Sequence, residues 1–144
     1  SAPIQYAAVE AFNGDHSAYL KAVKKILSFT GNYAYENLKS NVINVTKPEG
    51  GFYLFPEFTN AKFSSSSKMC EDILEKTGVA LLPGSDFGID KKKMIARLSF
   101  TDFNGEKFLK NTTGRKNLDK AVLEKYAPNI VYGTDRLKDW SSSL

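Results

Sequence analysis

The sequence predicts an α/β fold in two-layer, α+β form, with helices packed on a small, mostly antiparallel sheet of about four strands. Two observations lead there. Apolar residues recur with helical spacing up to about Ser40, then alternate in short runs closed by Gly and Pro. The chain also has 144 residues, 42% of them hydrophobic and 25% charged, which is ordinary globular composition and enough chain to bury a core without disulfides.

Each element has its own signal. Ile4, Ala7, Ala8, Ala11 and Phe12 mark one face of a helix over 2–12, stopped at Asn13-Gly14. The chain starts inside this periodic segment, which reads as a domain cut from a longer polypeptide. Asp15 can cap a longer helix running to about Ser40, with Tyr19, Val23, Ile26, Leu27, Thr30 and Ala34 as its buried stripe. Gly31, in its middle, is expected to weaken or bend it. Val42, Ile43 and Val45 suggest a strand, Lys47-Pro48-Glu49-Gly50 a turn, and 51–55 an aromatic strand closed by Pro56. A polar, Ser-rich loop over 59–67 precedes a helix with Met69, Cys70, Ile73, Leu74 and Thr77 on one face and Gly78 just past its end. Residues 79–82 read as a buried strand broken by Pro83-Gly84, 91–93 as a solvated tip, and 94–100 as a strand. Asn104 can cap a helical stretch to Tyr126, interrupted near Gly114, and Pro128 opens a last helix ending at Trp140.

Composition removes several function classes. Lys and Arg number 20 against 16 acids, a net charge of +4, but the lysines are scattered and only three residues are Arg. The aromatics are expected in strand and helix cores, so neither feature resembles a nucleic-acid surface. No apolar run approaches the ~20 residues of a membrane-spanning helix, and no leader pattern opens the chain. Cys70 has no second cysteine to pair with, and His16 is the single histidine, so a Ser-His-Asp triad would have to use it and a His/Cys metal site is not expected. His16 reads as flanking a helix start, Cys70 as a small hydrophobe. Phosphate-loop patterns of the GxGxxG or GxxxxGK[ST] type are absent.

Three constellations remain. Arg97 alone among the arginines interrupts an apolar β-run. A guanidinium there needs a partner, because an unsatisfied buried charge costs several kcal/mol, roughly. That partner is either a carboxylate or phosphate ligand, an internal Asp or Glu, or water at an open strand face. The run Gly50-Gly51-Phe52-Tyr53-Leu54-Phe55 permits close approach of a backbone or ligand, or simply turns the chain into a core strand. Pro83-Gly84-Ser85-Asp86-Phe87-Gly88 is a tight, shaped loop after a strand.

In order and spacing, KPEGGFYLFP (47–56), GVALLPGSDFG (78–88) and ARLSF (96–100) resemble the C-terminal portion of class I/II aminotransferases, the fold-type I pyridoxal-phosphate enzymes related to aspartate aminotransferase. SAPIQYAAVEAF (1–12) is similar to the family's segment downstream of the Schiff-base lysine, and APNIVYGTDRLKDW (127–140) to its terminal helix. The resemblance implies three parts: 1–14 as the end of the large cofactor-binding domain, 15–40 as the interdomain helix, and 41–144 as the small C-terminal domain. It makes Arg97 the residue that holds the substrate α-carboxylate, Phe52 the aromatic beside the substrate as the domain closes, and Gly51 the residue that allows that approach. It puts Ser1 and Gln5 near the neighbouring subunit's cofactor phosphate. Amino acids and 2-oxo acids are the implied substrates, a cytoplasmic homodimer the implied parent, and the chain's own large domain the implied partner, with no role for nucleic acid or membrane.

The family's cofactor lysine lies upstream of this segment. Ser65-Ser66-Ser67-Lys68 fits the letters of its Ser-x-x-Lys setting but follows the wrong elements. With no catalytic residue of its own, the chain alone is expected to be inactive and to bind no cofactor. Gly31-Asn32-Tyr33-Ala34-Tyr35 departs from the Arg-rich stretch common in relatives. A lyase, decarboxylase or synthase on the same fold, or a binding module that has shed catalysis, would carry the same Arg97.

Overall fold

The computed structural model describes residues 1–115 and 117–144. Six helices are seen among these residues: α1 (Ala2–Asn13), α2 (Ser17–Leu38), α3 (Ser66–Thr77), α4 (Gly105–Thr112), α5 (Lys120–Tyr126) and α6 (Pro128–Ser142). The five strands are short: β1 (Ile43–Asn44), β2 (Tyr53–Leu54), β3 (Glu57–Phe58), β4 (Leu82–Pro83) and β5 (Ala96–Ser99).

Every strand pair is antiparallel, in two sheets rather than one: β1 with β3, and β5 between β2 and β4. Pro56 separates β2 from β3, since it lacks the N–H a continuous ladder needs. The sheets nevertheless touch. The Pro56 carbonyl accepts from Ala96 N at 3.2 Å, Phe58 N donates to Met94 O at 2.9 Å, and Glu57 bridges Ile95. Both expected strands next to glycine or proline are shorter than read: 51–55 contracts to Tyr53–Leu54, and 79–82 shifts to Leu82–Pro83.

The core lies where α2, α3 and α6 meet the sheets. Helix α2 packs on α6, and Ile26, Thr30, Ala34 and Leu38 of the first and Ile130, Thr134 and Leu137 of the second are buried. Asn37 Nδ2 closes its edge, donating to Thr134 Oγ1 and Asp135 Oδ1 at 2.7 Å each. Trp140 stands edge-on to Phe58 at 5.3 Å, and its indole N–H donates to Asp72 Oδ2 at 2.8 Å. That bond satisfies the one polar atom of a large buried ring.

The caps at Asn104 and Gly78 follow the sequence: Asn104 Oδ1 accepts from Lys107 N at 2.9 Å, and Gly78 ends α3 in the left-handed region at φ 72°. At α2 the N-cap is His16, which flanks the helix start as expected, and Asp15, one residue earlier, accepts from Ser17 N at 2.9 Å. Ser65 caps α3 and accepts from Lys68 N. The stretch 104–126 is two helices, α4 and α5.

Three expectations need correction. The stripe of α2 is buried only from Ile26 onward: Val23 is half-buried and Tyr19 59% exposed, because the first turns of α2 overhang the core. Leu74, expected inside, is on the open side of α3. Gly31 neither breaks nor ends α2, which runs through it unbroken. It is buried, and a Cβ there would stand 2.9 Å from Phe100 Cζ and 3.3 Å from Pro48 Cγ. Gly31 is therefore a close-packing position, where the strand end at Phe100 and the turn at Pro48 press on the helix backbone.

Candidate functional site

The three sequence constellations meet at one guanidinium. Alternation along β5 buries Ala96 and Leu98 and turns Arg97 and Ser99 to the opposite, open face. Register then brings Leu82 of β4 opposite Arg97, and Tyr53 of β2 opposite Ser99. The loop Pro83-Gly84-Ser85-Asp86-Phe87-Gly88 forms a 3-10 turn over Gly84–Phe87 beside them.

That turn is held in place tightly. Gly84 N donates to Ile95 O at 2.8 Å, and a Cβ on Gly84 would lie 2.9 Å from the same oxygen. Gly88 ends the turn at φ 80°, a backbone region that L side chains rarely adopt. Ser66 and Ser85 hydroxyls meet at 3.3 Å, tying the turn to the start of α3. The result delivers the Phe87 ring onto Arg97.

Arg97 Cζ lies 4.2 Å from the centroid of the Tyr53 ring and 4.2 Å from that of Phe87. One ring comes from the β2 side and the other from the β4 side of the central strand. No Asp or Glu oxygen among the described residues comes within 4.0 Å of the guanidinium. Of the three partners left open by sequence reasoning, an internal carboxylate is thus excluded among those residues.

Around Arg97 the surface is aromatic and half-open. Phe52, Tyr53, Phe55 and Phe87 are each between 38% and 42% exposed, which corrects the expectation of aromatics confined to cores. Phe52 packs on Tyr53 at 4.3 Å, and Phe55 meets Phe87 edge-on at 5.7 Å. Gly51, at φ 67°, turns the chain into β2 with nothing in this chain within 4 Å of where a Cβ would be. Its glycine is required by the backbone angle, not by a close internal neighbour. A cleft of about 360 Å³ opens next to it, between Lys24, Leu27 and Ser28 of α2 and the turn at Pro48.

Other expected residues lie elsewhere. Ser1 and Gln5 are at the start of α1, none of whose residues is buried. Lys68 is at the surface, 2.6 Å from Glu71. The lysine is solvated and already ion-paired, and no residue of α1 is buried within this chain. Among the described residues no group of three or more His, Cys, Asp or Glu could hold a metal, and no helix is long and apolar enough to cross a membrane. A separate cleft of about 450 Å³ between α6 and 77–81 carries two internal polar contacts: Arg136 donates to Thr77 O at 2.8 Å, and Asn129 Nδ2 to Asp102 Oδ2 at 3.0 Å. Arg115, expected on a helix face, lies in the loop after α4. Cys70 is buried, and burial first, then the Asp86 charge, pushes its thiol up to about 11.

The family model for aminotransferase class I and II matches residues 1–111, which include α1, α2, all five strands and the whole Arg97 surround. The chain belongs to the class I and II aminotransferases. Among curated relatives in this family it is 38% identical over 96 residues to the aspartate aminotransferase of Thermotoga maritima, covering 67% of this chain and 22% of that protein. It is also 38% identical over 88 residues to a probable aspartate/prephenate aminotransferase of Aquifex aeolicus, again covering 22% of the relative. The solved alanine aminotransferase of Pyrococcus furiosus superposes with a TM-score of 0.71 at 25% identity, over 99% of this chain and 30% of that one. The chain therefore spans under a third of the aminotransferases it matches.

Sequence reasoning found Arg97 but not the two rings that touch it. Tyr53 was readable: placing it on the same strand face as Phe55 and pairing that strand with Arg97's puts an aromatic beside the guanidinium. Phe87 was not, because its position depends on the path of a glycine-bounded turn.

Proposed function

We propose that this chain is the small C-terminal domain of a pyridoxal-phosphate-dependent aminotransferase, with 1–14 the end of the large domain, 15–40 the interdomain helix and 41–144 the small domain. Arg97 receives the substrate α-carboxylate, and Phe52 lies beside the substrate, in the bend between Gly51 and β2. Two of the relatives are named for aspartate and alanine, both α-amino acids, and an arginine that takes the α-carboxylate would suit either. The observation that carries this reading is Arg97 on an open, aromatic-lined face with no internal carboxylate among the described residues.

In the parent, pyridoxal phosphate supplies the amino-group chemistry, held by residues upstream of this chain. Ser1 and Gln5 then stand near the neighbouring subunit's cofactor phosphate in a cytoplasmic homodimer, and this chain alone transfers no amino group. Arg97's part is orientation. A planar fork takes both carboxylate oxygens at once and so fixes the amino acid about two axes, which a lysine cannot do. Closure of the domain over the substrate would exclude water and strengthen that pair.

The test is steady-state kinetics on the full-length polypeptide carrying this chain. Arg97→Lys keeps the charge and loses the fork, and kcat/KM for the amino-acid substrate falls roughly a hundredfold or more. Near-normal efficiency would remove the carboxylate role.

A further inference from the structure

The half-buried Arg97 cation has no carboxylate among the described residues to offset the cost of leaving water. What it has is two aromatic faces at 4.2 Å, Tyr53 from one side of its strand and Phe87 from the other. We propose that Tyr53 and Phe87 are positioning residues, which hold the Arg97 guanidinium unneutralised and oriented so that its N–H edge is free for an incoming carboxylate. The inference rests on the carboxylate reading of Arg97 and adds to it the device that keeps the arginine poised.

The physical logic is a choice between two ways of stabilising a half-buried cation. An internal Asp or Glu would stabilise it through in-plane N–H bonds, the same donors a substrate carboxylate needs. An aromatic ring instead presents its negative face to the cation and uses none of the in-plane donors. Two rings can therefore offset desolvation while leaving all five N–H groups available. Ring contact also restricts the rotations of a long side chain, so less freedom is lost when the substrate arrives.

The fold supplies both rings by separate means. Tyr53 arrives by strand register, two residues after the left-handed Gly51. Phe87 arrives through a turn that Gly84 and Gly88 make possible and that Ser66 and Ser85 tie to α3. Neither ring is needed to fill the core, since both are about 40% exposed.

The experiment uses the full-length polypeptide with propionate, which has a carboxylate but no amino group, as a competitive inhibitor against the amino-acid substrate. Tyr53→Leu and Phe87→Leu each weaken propionate inhibition roughly tenfold and raise KM more than they lower kcat, whereas Tyr53→Phe, which keeps the ring, matches the wild type. In an Arg97→Lys background, Tyr53→Leu adds little, because the ring acts through the guanidinium. Arg97→Lys alone separates the two levels. If it leaves propionate inhibition unchanged, the carboxylate reading itself fails. If it abolishes inhibition while both Leu variants inhibit like wild type, or if Tyr53→Phe is as damaging as Tyr53→Leu, the positioning role is overturned.

Discussion

Replacing Gly31 by Ala sets two effects of known sign against each other. Ala is the better helix former, and at an exposed interior position the change would stabilise α2 by roughly 1 kcal/mol. Here the new methyl would meet Phe100 Cζ at 2.9 Å, Phe100 Cε2 at 3.0 Å and Pro48 Cγ at 3.3 Å. Normal carbon contacts begin about half an ångström further out. Phe100 is 1% exposed and its backbone is held by its N–H bond to Phe52 O at 3.1 Å, so relief requires the ring to leave its packed position toward the cleft beside Pro48. Overpacking of this kind costs about 1–3 kcal/mol, with this contact toward the upper end. We expect a net loss of about 1–2 kcal/mol, read as a urea midpoint shift at constant slope or a fall of about 3–8 °C in Tm. Gly31→Val should lose more, since it adds bulk without the helix gain. An Ala variant as stable as the wild type, or more so, would show that the helix backbone and the Phe100 strand end do not press together as described.

Two further outcomes follow from titrating groups. Asp72 accepts from Trp140 and pairs with Lys76 at 2.9 Å, and the Lys76 bond, then the indole bond, holds its carboxyl below the ordinary 3.8. A lowered folded-state value means the contribution is whole at neutral pH and is lost as pH falls below 3.8 through the folded value, so the urea-midpoint gap between wild type and Asp72→Ala should be constant above about pH 5 and narrow in acid. Cys70, pushed up to about 11, has a thiolate fraction near neutrality roughly a hundredfold below that of a thiol at the ordinary 9.0. Iodoacetamide should therefore modify it at pH 8 far more slowly in the folded chain than in urea, and equal rates would contradict its burial.

What the sequence made legible depended on how local each signal is. The helix starts near Asp15 and at Asn104 are set by a side chain and an amide two or three residues away, and they appear where capping chemistry puts them, whereas Ser65, which caps α3, lies inside the stretch read as loop. Arg97 stood out because a cation amid an apolar strand conflicts with its neighbours, a conflict that local pattern exposes. The Gly31 contact was illegible, since it involves Phe100 and Pro48, far off in the chain, and propensity alone reads the glycine as a defect. Tyr19 went wrong for a related reason. Periodicity says which residues share a face, but not whether anything covers it, and the first turns of α2 carry an apolar face that this chain leaves open. The division of one expected sheet into two came from Pro56, a strand-closing residue whose carbonyl still pairs with Ala96.

The most direct measurement is a crystal structure of the full-length polypeptide with an amino-acid substrate or its 2-oxo acid bound. Both carboxylate oxygens should sit within about 3 Å of Arg97 N–H groups, with the guanidinium still between the rings of Tyr53 and Phe87. A carboxylate bound elsewhere, or Arg97 turned away onto an Asp or Glu, would contradict the account.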